Sequence, residues 1–420
     1  MLSLALLLLG VALLLLVLAE RALRRLPMSP ALIYLLLGWL GGNLLGAPDT
    51  ALLVDFAPAL VVATEFAVLV SLFAVGVRLR VPPTMQPWRV ALLLAGPGMV
   101  VTIAVAALAG HGLLALGLPA ALLLGAIIAP TDPVLASDVQ IRSERDRDTV
   151  RLSITAEGGM NDGSALPAVM LGLGWLGLHE FGSGWHRWWI ADLAWPIGGG
   201  ALVGAGGGWL LGLLLRDRLR AGDPLLRDEL LYVGAVALAY GLALALQVSS
   251  FVVAFAAGIT LMLPLQRTPQ AEPGQALAQR LHAFGARYER LIEATMVLFV
   301  GVALHGVAIE WRHLGFAAAV LLVARPLAVL LVVPRRLLLR RQRRLVAWFG
   351  IRGIGSLFYL PFALEHGVDG ALAHELVATV LSCVALSIVL HGVSATPLML
   401  AHQHSRAARR PGTARVDPPL

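Results

Sequence analysis

Apolar runs long enough to cross a bilayer follow one another along most of the chain, separated by short segments that carry nearly all of its charge. A spanning helix needs roughly 20 mostly apolar residues. The pattern predicts spans near 2–19, 30–46, 59–77, 89–109, 119–138, 151–174, 190–215, 229–246, 248–265, 291–309, 313–334, 345–365 and 372–395. The split between the eighth and ninth rests on Gln247, Ser249 and Ser250 forming a turn. The 2–19 segment has no basic stretch ahead of it and no clear small-residue cleavage site, so it reads as a retained span.

The loops test this count. All 32 basic residues are Arg, and 28 of them follow odd-numbered spans, the last of these in the C-terminal tail. The other loops hold only Arg187 and Arg312. The positive-inside rule makes the Arg-rich side cytoplasmic, with the N-terminus outside and the C-terminus inside. These clusters read as topology anchors rather than lipid or nucleic-acid sites, and 401–420 as a short disordered basic tail. The Gly-dense stretch GGGALVGAGGGWLLG at 198–212 predicts close helix packing, not a nucleotide loop, because no strand precedes it.

Composition agrees. Of 420 residues 58% are hydrophobic and 14% charged, and the mean hydropathy is +0.82, which excludes a soluble enzyme. The net charge of +7 reports cytoplasmic loops rather than nucleic-acid binding. One Cys, Cys383, excludes a disulfide framework and a Cys-based metal cluster.

Ionisable residues inside spans are costly, and here they are Asp132, Glu157, Asp162, Arg325 and Arg352, with Glu65 near the start of the third span read as interfacial. Any one alone reads as part of a structural ion pair. Together, in neighbouring and symmetrically placed spans, they point to an ion or proton path. The fifth span reads GAIIAPTDPVLASDVQ, where Pro130 and Pro133 bracket Thr131 and Asp132 and predict a break. Half-helix ends at that depth offer carbonyls and dipoles to an ion. The sixth reads TAEGGMNDGSALP. Glu157 and Asn161 share a face, whereas Asp162 projects away from Glu157, so one helix presents two carboxylates to different partners. Asn161 can donate and accept without adding charge. Gly158 and Gly159 are expected to let the fifth span approach closely. Arg325, in VARPLAV, needs an acidic partner, and Glu157 is chosen. In the twelfth span, GIRGIGSLFYLP, Gly350, Gly353 and Gly355 are expected to loosen the helix around Arg352, and Pro361 to interrupt its far end. The breaks fall in equivalent spans of two halves, 1–6 and 8–13, with the seventh as linker, which predicts an inverted repeat.

APTDP, the AExxxND pattern, ARP and GIRG together resemble the NhaP-like sodium/proton antiporters of the monovalent cation:proton antiporter superfamily, over roughly residues 1–396. The resemblance implies an all-α polytopic membrane protein of about thirteen helices, with inverted six-helix repeats, two broken crossing helices and a homodimeric assembly. The antiporter domain would fill 1–400, with a scaffold about 1–88 and 229–309 and a core about 89–174 and 313–396. It implies that Asp162 carries the cation or proton and that Asn161, Thr131 and Asp132 line or support the site. Glu157 would pair with Arg325, and Arg352, Pro130 and Pro133 would support the crossover. Two departures stand out: Gly158 where the family often has Ser, and Ala74 in LFAVG where many members have an acid. Both remove an oxygen ligand and predict a wetter, weaker cation site.

The expected function is secondary transport, not enzymatic catalysis. A monovalent cation (Na+ favoured, Li+ or K+ as alternatives) would exchange for a proton, electroneutrally and by alternating access. The expected setting is the cell's inner (plasma) membrane, with a role in pH homeostasis, lipid and a second copy as partners, no cofactor and no nucleic acid. Two other classes stay open: a cation channel, although no TVGYG-like filter is visible, and an intramembrane aspartyl enzyme using Asp132 and Asp162, although no GxGD pattern occurs.

Overall fold

The computed structural model describes residues 10–11, 14, 18, 29–45, 48–79, 85–132, 135, 139–141, 146–220, 228–266 and 271–407, and among these there is no strand. The predicted 2–19 span, Pro133 and residues 408–420 fall almost entirely outside this set. The helices are α1 (Pro30–Leu45), α2 (Thr50–Asp55), α3 (Ala57–Arg78), α4 (Gln86–Leu114), α5 (Leu118–Ile128), α6 (Thr149–Trp175) and α7 (Gly200–Arg220). They continue with α8 (Asp228–Leu246), α9 (Ser250–Gln266), α10 (Ala271–Ala303), α11 (Trp311–Val332), α12 (Arg340–Trp348), α13 (Ile354–Glu365) and α14 (Gly370–Ala407). Pro97 and Pro196 lie in π-helical turns, Leu94–Gly98 within α4 and Trp188–Gly199 leading into α7. A residue without an N–H cannot close an α turn, and the wider turn absorbs the fault.

Among the described residues, six helices are long and apolar enough to cross a bilayer: α3, α4, α7 with its lead-in, α8, α11 and α14. Shorter apolar helices correspond to α1, α5, α9 and α13. Their outward faces are apolar too: Leu202 is 75% exposed, and Val100 and Leu331 are each 67% exposed. Such faces are stable where lipid, not water, is the solvent.

Small residues set the helix spacing, as expected where lipid supplies no hydrophobic drive between helices. Gly204, Gly208 and Gly212 recur every fourth residue along α7 and lie on α9, where an added Cβ would overlap the carbonyls of Val253, Ala257 and Leu261. The Gly-dense segment is thus a packing stripe. Gly76 and Gly258 bring α3 against α9, and Gly38 and Gly301 bring α1 against α10, in the same way.

The structure departs from the predicted elements in three places. Helix α10 starts at Ala271, well before 291, and ends at Ala303. Its first half is amphipathic, with Leu277, Leu281 and Phe284 buried and Arg280, Arg287 and Arg290 exposed, so a hydropathy window passes over it. The predicted 345–365 span is two helices, α12 and α13, and Pro361 sits inside α13 without ending it. Packing tolerates one lost hydrogen bond there. Helix α14 runs through Ala407, into the predicted disordered tail. His402 and Arg406, one turn apart, hold it by bonding the Asp148 carboxylate, the His402 Nε2 contact being 3.0 Å.

Candidate functional site

Helix α5 stops at Ile128; Ala129 keeps right-handed helical angles and still donates to Gly125 O at 3.0 Å, and Pro130, which has no N–H, cannot continue the ladder. Far along the chain, Phe349–Gly353 separates α12 from α13. The two irregular segments meet and satisfy each other's backbone. Asp132 N donates to Ile351 O at 2.8 Å. Ile354 N, at the start of α13, donates to Asp132 Oδ2 at 2.6 Å. The fully buried Arg352 donates through Nη1 to Pro130 O at 3.1 Å and to Ala129 O, and its own N–H donates to Ser387 Oγ at 2.8 Å.

The three glycines of the second segment serve close approach rather than looseness. A Cβ on Gly350 would strike the Arg325 side chain, one on Gly353 would strike Asp132 Oδ2, and one on Gly355 would strike Asp162 Oδ1. Any side chain there would displace a charged group.

Helix α6 supplies the facing residues. Asp148 caps it, its Oδ1 accepting from Val150 N at 2.9 Å and Arg151 N at 3.1 Å. Glu157 and Arg325, 2% and 3% exposed, form a two-pronged pair, with Arg325 Nη2 2.8 Å from Glu157 Oε2 and Nη1 on Oε1. Arg325 also donates to Val346 O at 3.3 Å and Phe349 O at 3.4 Å, tying α11 and α6 to the end of α12. One turn further on, Asn161 Nδ2 donates to Thr131 Oγ1 at 2.6 Å. Asp162 is 4% exposed and within electrostatic reach of Asp132. Its Oδ1, like Asn161 Oδ1, has no hydrogen-bond partner among the described residues. The Tyr359 hydroxyl donates to the Asp162 carbonyl.

Thr131, Asp132, Asn161 and Asp162 are therefore brought together at the junction of the two breaks, with Arg352 and Pro130 beside them and Glu157–Arg325 a turn away. Asp132 commits one carboxylate oxygen to the α13 N-terminus. The oxygens left for a cation are those of Asp162, Asn161 and Thr131, hard ligands of the kind alkali ions prefer.

Other expectations shift. Gly159 meets the Phe255 ring of α9, and close approach to α5 occurs instead at Gly172, against Leu123. Ala74 is 3% exposed and lies against Gly285 of α10.

Sequence reasoning missed a buried pair: Arg78, assigned to topology, bonds Glu289 of α10 and donates to Gln140 Oε1 at 2.8 Å. The available signal was that Arg78 directly follows the apolar run 72–77. Glu65 also proved more than interfacial, accepting from Tyr240 Oη at 3.0 Å and Ser250 Oγ at 2.8 Å.

A multi-pass helical bundle with two broken segments joined beside a buried carboxylate, one oxygen of which is unsatisfied among the described residues, defines a membrane transporter rather than an enzyme. Residues 10–401 match the transmembrane domain of the sodium/hydrogen exchangers, and the chain belongs to that family. It is 28% identical over 408 residues to a protein named K(+)/H(+) antiporter NhaP from Alkalimonas amylolytica, covering 94% of this chain and 66% of that one. It is 26% identical over 294 residues to a protein named Na(+)/H(+) antiporter NhaP from Pseudomonas aeruginosa, covering 66% and 65%. The chain thus spans about two thirds of the length of these curated relatives. It shares its fold with the sodium proton antiporter MjNhaP1 from Methanocaldococcus jannaschii, at a TM-score of 0.73 and 20% identity over 93% of this chain and 97% of that one.

Proposed function

We propose that this chain exchanges a monovalent cation for a proton across the plasma membrane, with Asp162 as the carrier. The observation that supports this most directly is Asp162 itself, buried, close to a second carboxylate, and with an oxygen that nothing among the described residues satisfies. A bare carboxylate there carries a large desolvation cost. A proton or a cation removes the charge, and the two compete for the same oxygens. The neutral site can then move through a low-dielectric barrier, while the bare one is held back, which couples the two fluxes.

Alternating access follows if the core, about 89–174 and 313–396, rocks against a scaffold of about 1–88 and 229–309 related to it by inverted repeats. Asn161 beside Asp162, in place of a second carboxylate, supports one proton per cation and hence electroneutral exchange. Na+ is the favoured ion. The relatives' names divide between Na+ and K+, so K+ and Li+ belong in the same assay. The Arg distribution supports a cytoplasmic C-terminus, the apolar outward faces support a lipid setting, and the assembly in this reading is a homodimer.

The test is dye-monitored cation/proton exchange in proteoliposomes with Na+, Li+ and K+ compared. Asp162→Asn, folded but inactive, is the expected result. Normal exchange by that variant removes Asp162 from the carrier role. Current without counter-movement of protons assigns the chain to the channels instead.

A further inference from the structure

Several carboxylates in the membrane region have a cationic partner: Glu157 has Arg325, Glu289 has Arg78, Asp192 has His179, and Glu375 has Arg312 and His313. Glu65 on α3 has neither Arg nor His as an ion-pair partner among the described residues. Two neutral hydroxyls hold it, Tyr240 Oη on Oε2 and Ser250 Oγ on Oε1. It is only half-buried. It is the ninth of the 22 residues of α3, nearer Ala57 than Arg78, and so lies on the half away from the Arg-rich loops.

Polar side chains lie near both Glu65 and the central site. Ser250 opens α9, and its neighbour Ser249 is buried with Oγ 3.5 Å from where a Cβ on Gly163 would sit, one residue beyond Asp162. The Tyr359 hydroxyl, bonded to the Asp162 carbonyl, is within electrostatic reach of both Asp162 and Glu65.

We propose that Glu65, with Tyr240 and Ser250, forms a second monovalent-cation station that loads the ion from the side away from the Arg-rich loops before it reaches Asp162. A hydroxyl that donates its hydrogen to the carboxylate keeps its lone pairs for a cation. The cluster thus offers carboxylate, phenol and alcohol oxygens, the hard donor set for an alkali ion. A charged carboxylate in a span is costly unless it is paired or serves an ion path, and Glu65 is held by neutral hydroxyls alone. The direction of travel rests on the exchange reading of Asp162, whereas the station itself does not.

The experiment measures exchange in oriented proteoliposomes with cation titrated on each face separately. Glu65→Gln is expected to raise the apparent KM several-fold on the face away from the Arg-rich loops only, with partial recovery in Glu65→Asp. An equal rise on both faces, or an unchanged KM with a lowered Tm, makes Glu65 a structural ligand of α9 and overturns the proposal. Should Glu65→Gln fail to fold, Tyr240→Phe and Ser250→Ala keep the carboxylate and remove one oxygen each. The same one-sided rise is expected from them, and its absence overturns the proposal. A transport-free readout separates the two readings. Thermal stabilisation by NaCl, relative to choline chloride, should persist in part in Asp162→Asn and vanish in the Asp162→Asn/Glu65→Gln double variant. No residual stabilisation in Asp162→Asn overturns the station. Persisting exchange in Asp162→Asn overturns only the carrier role of Asp162.

Discussion

Asp132 and Arg352 each sit on the helix end that the other's segment leaves open. Asp132 follows the end of α5 and caps the N-terminus of α13 through Ile354 N, while Arg352 precedes α13 and caps the C-terminal carbonyls of α5 at Ala129 and Pro130. An anion at an N-terminus and a cation at a C-terminus both oppose the helix dipole. The exchange of charges across the junction gives partners to Ile354 N and to the carbonyls of Ala129 and Pro130, where the two half-helices end.

This relationship separates two changes at one residue. Asp132→Asn keeps an oxygen for Ile354 N and should leave thermal stability in detergent near wild type. Asp132→Ala removes the cap and should cost ~1 kcal/mol, the usual worth of an N-cap side chain. Equal Tm values for the two variants would show that the cap contributes nothing.

Glu157→Gln leaves Arg325 buried without its counter-charge, a loss of roughly 3–5 kcal/mol for a broken buried pair. Adding Arg325→Gln should recover part of it. A double-mutant cycle in thermal unfolding reads the coupling, and additive effects would mean the pair does not act as one.

The Glu157–Arg325 pair was legible in the sequence because a buried Arg demands a carboxylate and few were available. The break at Pro130 was legible because proline's constraint is local. The role of Asp132 was not, since its partner Ile354 lies 222 residues away and only the fold brings them together. Arg78 was misread for a different reason. A charge at the end of an apolar run looks the same whether it reaches water or a buried Glu289. The start of α10 was hidden because a helix with one polar face has the mean hydropathy of a loop.

Asp148 lies at the head of α6, outside the spans, and gives a pH dependence. Burial pushes its carboxyl up, but the Arg151 N–H and the charges of His402 and Arg406 outweigh this and hold it below 3.8. A carboxyl lowered on folding stabilises above its unfolded value and loses that contribution as pH falls through the folded one. Asp148→Asn should therefore lower Tm at neutral pH, and its difference from wild type should shrink once pH drops below about 3.8. A difference that stays constant through acid would leave only the neutral cap bonds to Val150 and Arg151.

Asn161 donates to Thr131 and adds no charge beside Asp162. Exchange should then generate no membrane potential, and an imposed voltage under clamped pH should leave its rate unchanged. A strong voltage response would mean that a second titrating group accompanies Asp162.

Two glycines of the same segment should respond differently to one added methyl group. At Gly355 the new Cβ would overlap Asp162 Oδ1, the oxygen without a partner, and approach Pro130 Cβ at 3.4 Å. At Gly350 it would press on the Arg325 side chain, whose guanidinium is fixed by Glu157 and by the carbonyls of Val346 and Phe349. Gly355→Ala therefore strains the site directly. Asp162 must turn or α13 must retreat, and either change moves the oxygens that would hold the cation. Gly350→Ala strains an ion pair that holds helices together and leaves the Asp162 oxygens where they are. The first substitution should raise the apparent KM for cation with a modest loss of Tm, and the second should lower Tm while folded protein keeps its KM. Overpacking of this kind costs typically ~1–3 kcal/mol, so both variants should remain measurable in detergent. If Gly355→Ala shows normal cation affinity, α13 does not border the binding oxygens, and the junction supports the fold without shaping the ion site.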